Sequence, residues 1–154
     1  MTSVPHVPNL AVLIDADNVS QRIADALFHT IRSFGVPRAR RIYGDFSGTR
    51  LSPWVGAIAK HAITAQQVFS GKNASDVALI IDAVELLNTS KFDGFCIVSS
   101  DRDFAGLAKH IRERGVDVLG FGKRDTDESF RNSCSRFLFV EDLCPSAAGK
   151  KAAG

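Results

Sequence analysis

The chain has 154 residues, of which 45% are hydrophobic and 23% charged, and it carries a formal net charge of +2. That length suits one domain with a substantial core and is short for two, and the composition is that of an ordinary globular protein. The small net charge excludes a protein that holds nucleic acid by sheer basicity, and no apolar run nears the ~18 residues needed to cross a bilayer, so no membrane partner is expected.

Residues 1–9 contain two prolines and read as a lead-in. Leu10-Ala11-Val12-Leu13-Ile14 is a continuous apolar run, the pattern of a strand buried on both faces, and it ends on Asp15-Ala16-Asp17-Asn18. A helix follows, with Ile23, Leu27, Ile31 and Phe34 on one face and Gly35 placed to stop it. Arg40 to Phe46 reads as a shorter strand with Asp45 near its far end. Ser52-Pro53 opens a helix that runs to about His61. Ile63 to Phe69 is a strand of mixed polarity, expected near a sheet edge, and Gly71 to Ser75 is a polar turn. The next helix is expected to bury Val77, Ile80, Ile81, Val84 and Leu87.

Phe95-Cys96-Ile97-Val98 is a second fully apolar strand. It runs into Ser99-Ser100-Asp101-Arg102-Asp103 and then a helix with Phe104, Leu107, Ala108 and Ile111 at i, i+3, i+4 and i+7. Gly115 closes that helix, and Val116 to Phe121 is another apolar strand. Gly122 to Thr126 is a loop with Thr126 as helix cap, Glu128 to Cys134 a short helix, and Arg136 to Val140 a last strand. The domain is expected to span residues 10–143. Residues 144–154, mostly Ala, Gly and Lys, are expected to be disordered, as a terminus or a linker. Strands alternating with helices over short connections predict an α/β fold, a parallel sheet with helices on both faces.

Three cysteines without a C-x-x-C pair, and a start lacking an export signal, predict a reduced, cytoplasmic setting. Cys96 sits inside an apolar strand and reads as a small core residue.

Two strands of one parallel sheet end in carboxylates, and such ends share one edge, where ligands of open α/β sheets bind. Asp15, Asp101 and Asp103 should therefore converge. Asp76 should join them from the first turn of its helix, and Asp45 stands at the end of another strand. Each aspartate taken singly is equally explained by helix capping or solvation. Several together repel one another unless a divalent cation neutralises them or their pKa values rise. An all-oxygen donor set suits a hard ion, Mg²⁺ or Mn²⁺, rather than Zn²⁺. The sequence contains neither a P-loop nor a G-x-S-x-G nucleophile motif. Acids holding Mg²⁺ or Mn²⁺ are the equipment of phosphodiester hydrolysis.

Three blocks carry a family resemblance: Leu13-Ile14-Asp15-Ala16-Asp17-Asn18, Lys72-Asn73-Ala74-Ser75-Asp76, and Ser99-Ser100-Asp101-Arg102-Asp103-Phe104. In this order and spacing they resemble the signature blocks of NYN domains, within the PIN-like nuclease superfamily, nearest the LabA-like and limkain-type members. The resemblance covers about residues 8–143. It implies a Rossmann-like three-layer α/β/α sandwich, mainly parallel, and a metal-dependent ribonuclease, usually endonucleolytic. Position by position, Asp15, Asp76 and Asp101 match the family's metal-binding acids. Asp103 matches a position where some relatives have Asn, Asn18 an asparagine that orients Asp15 or the scissile phosphate, and Asp45 an acid of limkain-type members. Asp17 falls at a variable position, and Asp82, about 240° round its helix from Asp76, should point elsewhere.

The partner implied is RNA, single-stranded or structured. Several relatives carry a separate RNA-binding domain after the nuclease domain, which this chain does not include; homodimerisation is left open. Candidate substrate contacts are Lys72, Ser100, Arg102, Lys123 and Arg124, with Arg50 beside them, and Tyr43, Phe46 and Trp54 are candidates to stack on bases. Two other readings stay open. Asp15-x-Asp17 after an apolar strand is also how a haloacid-dehalogenase-type phosphatase begins, although no room follows for that family's flap. A non-catalytic RNA-binding module with the same acids would look identical in sequence.

Overall fold

The computed structural model describes residues 6–69, 71 and 73–143. Six strands form one sheet: β1 (Asn9–Asp15), β2 (Val36–Gly44), β3 (Thr64–Gln67), β4 (Gly94–Val98), β5 (Asp117–Gly122) and β6 (Arg136–Phe139). All pair in parallel, in the order β3-β2-β1-β4-β5-β6. The chain thus builds outward from β1 through β2 and β3, then crosses back to β4 and builds outward the other way. This is the Rossmann strand order, and it creates a switch point between β1 and β4 where the connections diverge and leave a crevice. β3, the mixed-polarity strand, is indeed at an edge.

The apolar runs became the central strands because both their faces are covered. On β1, Leu10, Val12 and Ile14 face one side with α1 (Ala24–Ile31) and α2 (Trp54–Lys60), while Ala11 and Leu13 face the other. That second face is covered by α3 (Ala74–Asn88), α4 (Ala105–Glu113) and α5 (Glu128–Ser133). The result is a three-layer α/β/α sandwich. Among the described residues no helix is long and apolar enough to cross a membrane.

Several boundaries differ from the expectations. β2 begins at Val36 rather than Arg40 and stops at Gly44, leaving Asp45 and Phe46 in the loop. α5 is capped by Asp127, whose side chain accepts from the Ser129 amide, and not by Thr126, whose hydroxyl turns back to the Lys123 carbonyl. The largest correction concerns α3. Its buried residues are Asp76, Leu79, Ala83, Leu86 and Leu87, whereas Val77 and Ile81 are 52% and 55% exposed. This helix is apolar nearly all round, so periodicity alone did not select the stripe that meets the sheet. The two faces predict opposite outcomes. Leu79→Ala should cost about 2–5 kcal/mol, whereas Ile81→Lys should change stability by under about 0.5 kcal/mol; urea melts of both variants check the assignment. Asp82 points away from Asp76, as expected, and accepts hydrogen bonds from Arg41 and from the Tyr43 hydroxyl.

Candidate metal centre

β1 is buried from Leu10 to its end, and Asp15 is carried in with it at 1% exposure. An ionised carboxylate in that position needs compensation. Two neighbours supply part of it: Asn18 Nδ2 donates to Asp15 Oδ2 at 2.7 Å, and Ser99 Oγ donates to the same oxygen at 2.8 Å. The other oxygen, Oδ1, is buried with no hydrogen-bond partner. Burial is the main reason the Asp15 carboxyl lies above its ordinary range; the two hydrogen bonds oppose that rise, and Asp17 and Asp101 add to it.

Asp101 follows β4 across the switch point. It caps the 3-10 turn Arg102–Phe104 by accepting from the Asp103 amide at 2.9 Å, so the capping role is real and coexists with membership of the cluster. Asp76 enters from the first turn of α3 and is buried. One carboxylate oxygen from each of Asp15, Asp76 and Asp101 lies within 4.8 Å of the others. The Asp76 carboxyl is pushed up to about 7, chiefly by burial and then by Asp101, which lies within hydrogen-bonding reach, with Asp15 and Asp103 adding repulsion. Three carboxylates drawn this close, one of them with an orphaned buried oxygen, fit a small doubly charged cation with oxygen ligands. The donor set contains no sulfur or nitrogen, which fits Mg²⁺ or Mn²⁺.

A comparison with family models matches the NYN domain over residues 9–141. This chain belongs to the NYN domain family. NYN domains are PIN-like nucleases that typically use divalent metals. Among solved structures, a protein of unknown function from Vibrio parahaemolyticus superposes with a TM-score of 0.75 at 19% identity, covering 92% of this chain and 98% of that one. At that identity the likeness speaks for the fold. A search of curated proteins returns no match.

Other NYN positions fall less simply. Asn18 is beside Asp15, where its block suggested. Asp103 is exposed at the edge of the site, outside the group of three. Asp45 is a correction: it stands outside that group because β2 ends before it, and its Oδ1 already accepts from the Ser47 amide, the Ser47 hydroxyl and Gln67. Those bonds, the Ser47 hydroxyl foremost, hold its carboxyl down at about 2. Asp17 is paired with Arg50 at 2.6 Å and accepts from Ser75 Oγ at 2.9 Å, tying the first block to the head of α3. It therefore does not stand as a free general acid two residues after a nucleophile, and with the family established the phosphatase reading falls.

Of the substrate candidates, Lys72 lies outside the described residues. Arg124 is tied to Asp142 and lies over the Phe139 ring, so it is engaged rather than free. Arg102 is exposed beside Asp127, and Lys123 is exposed with its amide donating to Ser100 Oγ at 2.8 Å. Two stacking candidates are corrected: Tyr43 is 1% exposed and bonded to Asp82, and Trp54 is 2% exposed with its indole donating to the Val19 carbonyl. Both are core residues because β2 and α2 turn them into the sandwich. Phe46 packs partly buried against the same core.

Ser99 is the residue whose role the sequence reading left unassigned. Completely buried, it donates to Asp15 and accepts from the Asp101 amide at 3.0 Å, so one hydroxyl spaces the two acids. The available signal was a polar residue at the end of an otherwise wholly apolar strand. Ser99→Ala should lower divalent-ion affinity roughly 10–100-fold, measured by calorimetric titration with Mn²⁺. Unchanged affinity would assign Ser99 a packing role alone.

Proposed function

We propose that this NYN protein is a Mg²⁺- or Mn²⁺-dependent ribonuclease, cutting within RNA chains, with Asp15, Asp76 and Asp101 as the metal ligands. The supporting observation is a buried Asp15 carboxylate with one unpartnered oxygen, grouped with two further carboxylates at a sheet switch point. A divalent ion held there supplies Lewis acidity, activating water and neutralising charge on a phosphate.

The chain's own residues do the rest. Asn18 and Ser99 fix the Asp15 carboxylate through Oδ2 and leave Oδ1 without a protein partner. Asp101 is anchored through the turn it caps, and Asp76 is carried on the first turn of α3. Asp103, exposed at the rim, adds negative charge beside Asp76 and is a further candidate ligand. Lys123 and Arg102 offer exposed cations to the phosphates on either side. The test is incubation with labelled single-stranded, hairpin and duplex RNAs in Mn²⁺ or in EDTA. Internal cleavage with Mn²⁺ alone is expected; RNA bound but intact in every condition would establish the non-catalytic alternative.

A further inference from the structure

We propose that the apolar cleft beside Asp15 and Asp101 receives a nucleobase of the RNA strand whose phosphate lies at the acids. This rests on the nuclease reading above and adds a subsite to it. The cleft lies between the segment that follows β1 and the end of β5, and its walls are Val19, Ile23, Phe121 and Val140. Phe121 is core, and the other three pack against that same core, so the walls are held rigid.

Its position relative to the acids is set by shared residues. Asn18 lines the cleft and also holds Asp15 through Oδ2 at 2.7 Å. Ser100 lines it too and directly precedes Asp101. A group in this cleft is therefore one residue away from two of the three carboxylates. The β5 end reaches it only because residue 122 is glycine: a Cβ there would stand 2.7 Å from the Ser99 carbonyl oxygen and 2.8 Å from Thr126 Oγ1.

The chemistry of the lining selects the occupant. Apolar walls with a few polar groups at the mouth suit a flat heterocycle that buries its faces and keeps its edge hydrogen-bonded. Ser100 Oγ accepts from the Lys123 amide, which leaves its own proton free to donate to a base edge. Lys123, exposed at the same mouth, offers a cation to the sugar-phosphate chain that a base must bring with it. The space within the cleft, about 70 Å³, is several times the ~10–15 Å³ that one water requires, so it takes more than a single solvent molecule. A base enters only when unstacked and unpaired, which costs least in a single strand. Single-stranded RNA with an unpaired base beside the cut is thus the substrate class this face fits.

The experiment is cleavage by the wild-type chain with Mn²⁺ of a single-stranded RNA holding one cut site. The same RNA is then tested with an abasic ribose at each flanking position in turn. The rate constant kcat/KM should fall at least tenfold for one position and stay level for the others. Ile23→Trp, which fills the cleft, should slow the intact RNA to the abasic rate and leave the abasic RNA unaffected. In parallel, methyl resonances of Val19, Ile23 and Val140 in the Asp101→Asn protein should shift on adding the uncut RNA. Equal rates on all abasic substrates, or methyls that stay fixed while RNA binds, overturn the subsite and leave the nuclease reading standing. No cleavage of any RNA by the wild type overturns both.

Discussion

Asp15→Asn should make the metal-free protein more stable while removing the ribonuclease activity proposed for it. The carboxamide oxygen can keep the place of Oδ2, accepting from Asn18 and Ser99. The amide nitrogen then takes the place of Oδ1, which has no partner now, and a neutral group replaces one of three mutually repelling carboxylates. Burial already holds the Asp15 carboxyl above its ordinary range, so removing the charge relieves a cost. The expected gain is about 1–2 kcal/mol, or ~2–8 °C in Tm for a chain of this size. Activity with Mn²⁺ should fall on the order of 10³-fold, because one of three anionic ligands is lost where charge stabilisation matters most. Thermal melts in EDTA and a cleavage assay read the two halves separately. A variant that loses stability in EDTA would mean that Asp15 is structural, satisfied by contacts other than these.

The second large effect is on pH dependence and its reversal by metal. The Asp76 carboxyl rises to about 7 from an ordinary 3.8, with burial the first cause and Asp101 the second. Asp15 is displaced in the same direction. Folded protein therefore binds protons more tightly at these sites than unfolded protein does. Their contribution is fully present below the unfolded value, near pH 4, and is lost as pH rises through about 7. Paired carboxyls such as Asp45, held at about 2, work in the opposite sense but finish titrating below that window. In EDTA, Tm should fall on the order of 4–8 °C between pH 5 and pH 8, equivalent to ~2 kcal/mol. Mn²⁺ binds the ionised acids, so its stabilisation should grow over the same interval, reaching about 2.7 kcal/mol at a hundredfold excess over Kd. Asp76→Asn should flatten the metal-free curve. If wild type and variant show the same slope in EDTA, the acids are not coupled as their spacing requires.

Much of this is visible in the residues themselves. The two apolar runs that end on Asp15 and on Ser99-Ser100-Asp101 announce buried parallel strands with acids at one edge, and the three blocks announce the NYN family. That information is local: unbroken hydrophobicity over four or five residues and a motif at fixed spacing need no knowledge of neighbours. The parallel sheet, the edge position of Thr64–Gln67 and the convergence of Asp15, Asp76 and Asp101 follow from it.

What tertiary structure decided were the choices between residues of similar chemistry. Leu79 and Ala83 rather than Val77 and Ile81 face the sheet because the crossing of α3 over β1 and β2 sets the buried stripe, and an all-round apolar helix has no stripe of its own. Asp45 leaves the site because β2 ends one residue before it, and Tyr43 and Trp54 vanish into the core because their strand and helix happen to turn inward. Ser99, which accepts locally from the Asp101 amide, can donate to Asp15, 84 residues away in the chain, only because β1 and β4 lie side by side. Sequence pattern carries what each segment prefers; which atoms then meet depends on packing, a property that belongs to pairs of distant segments and to neither alone.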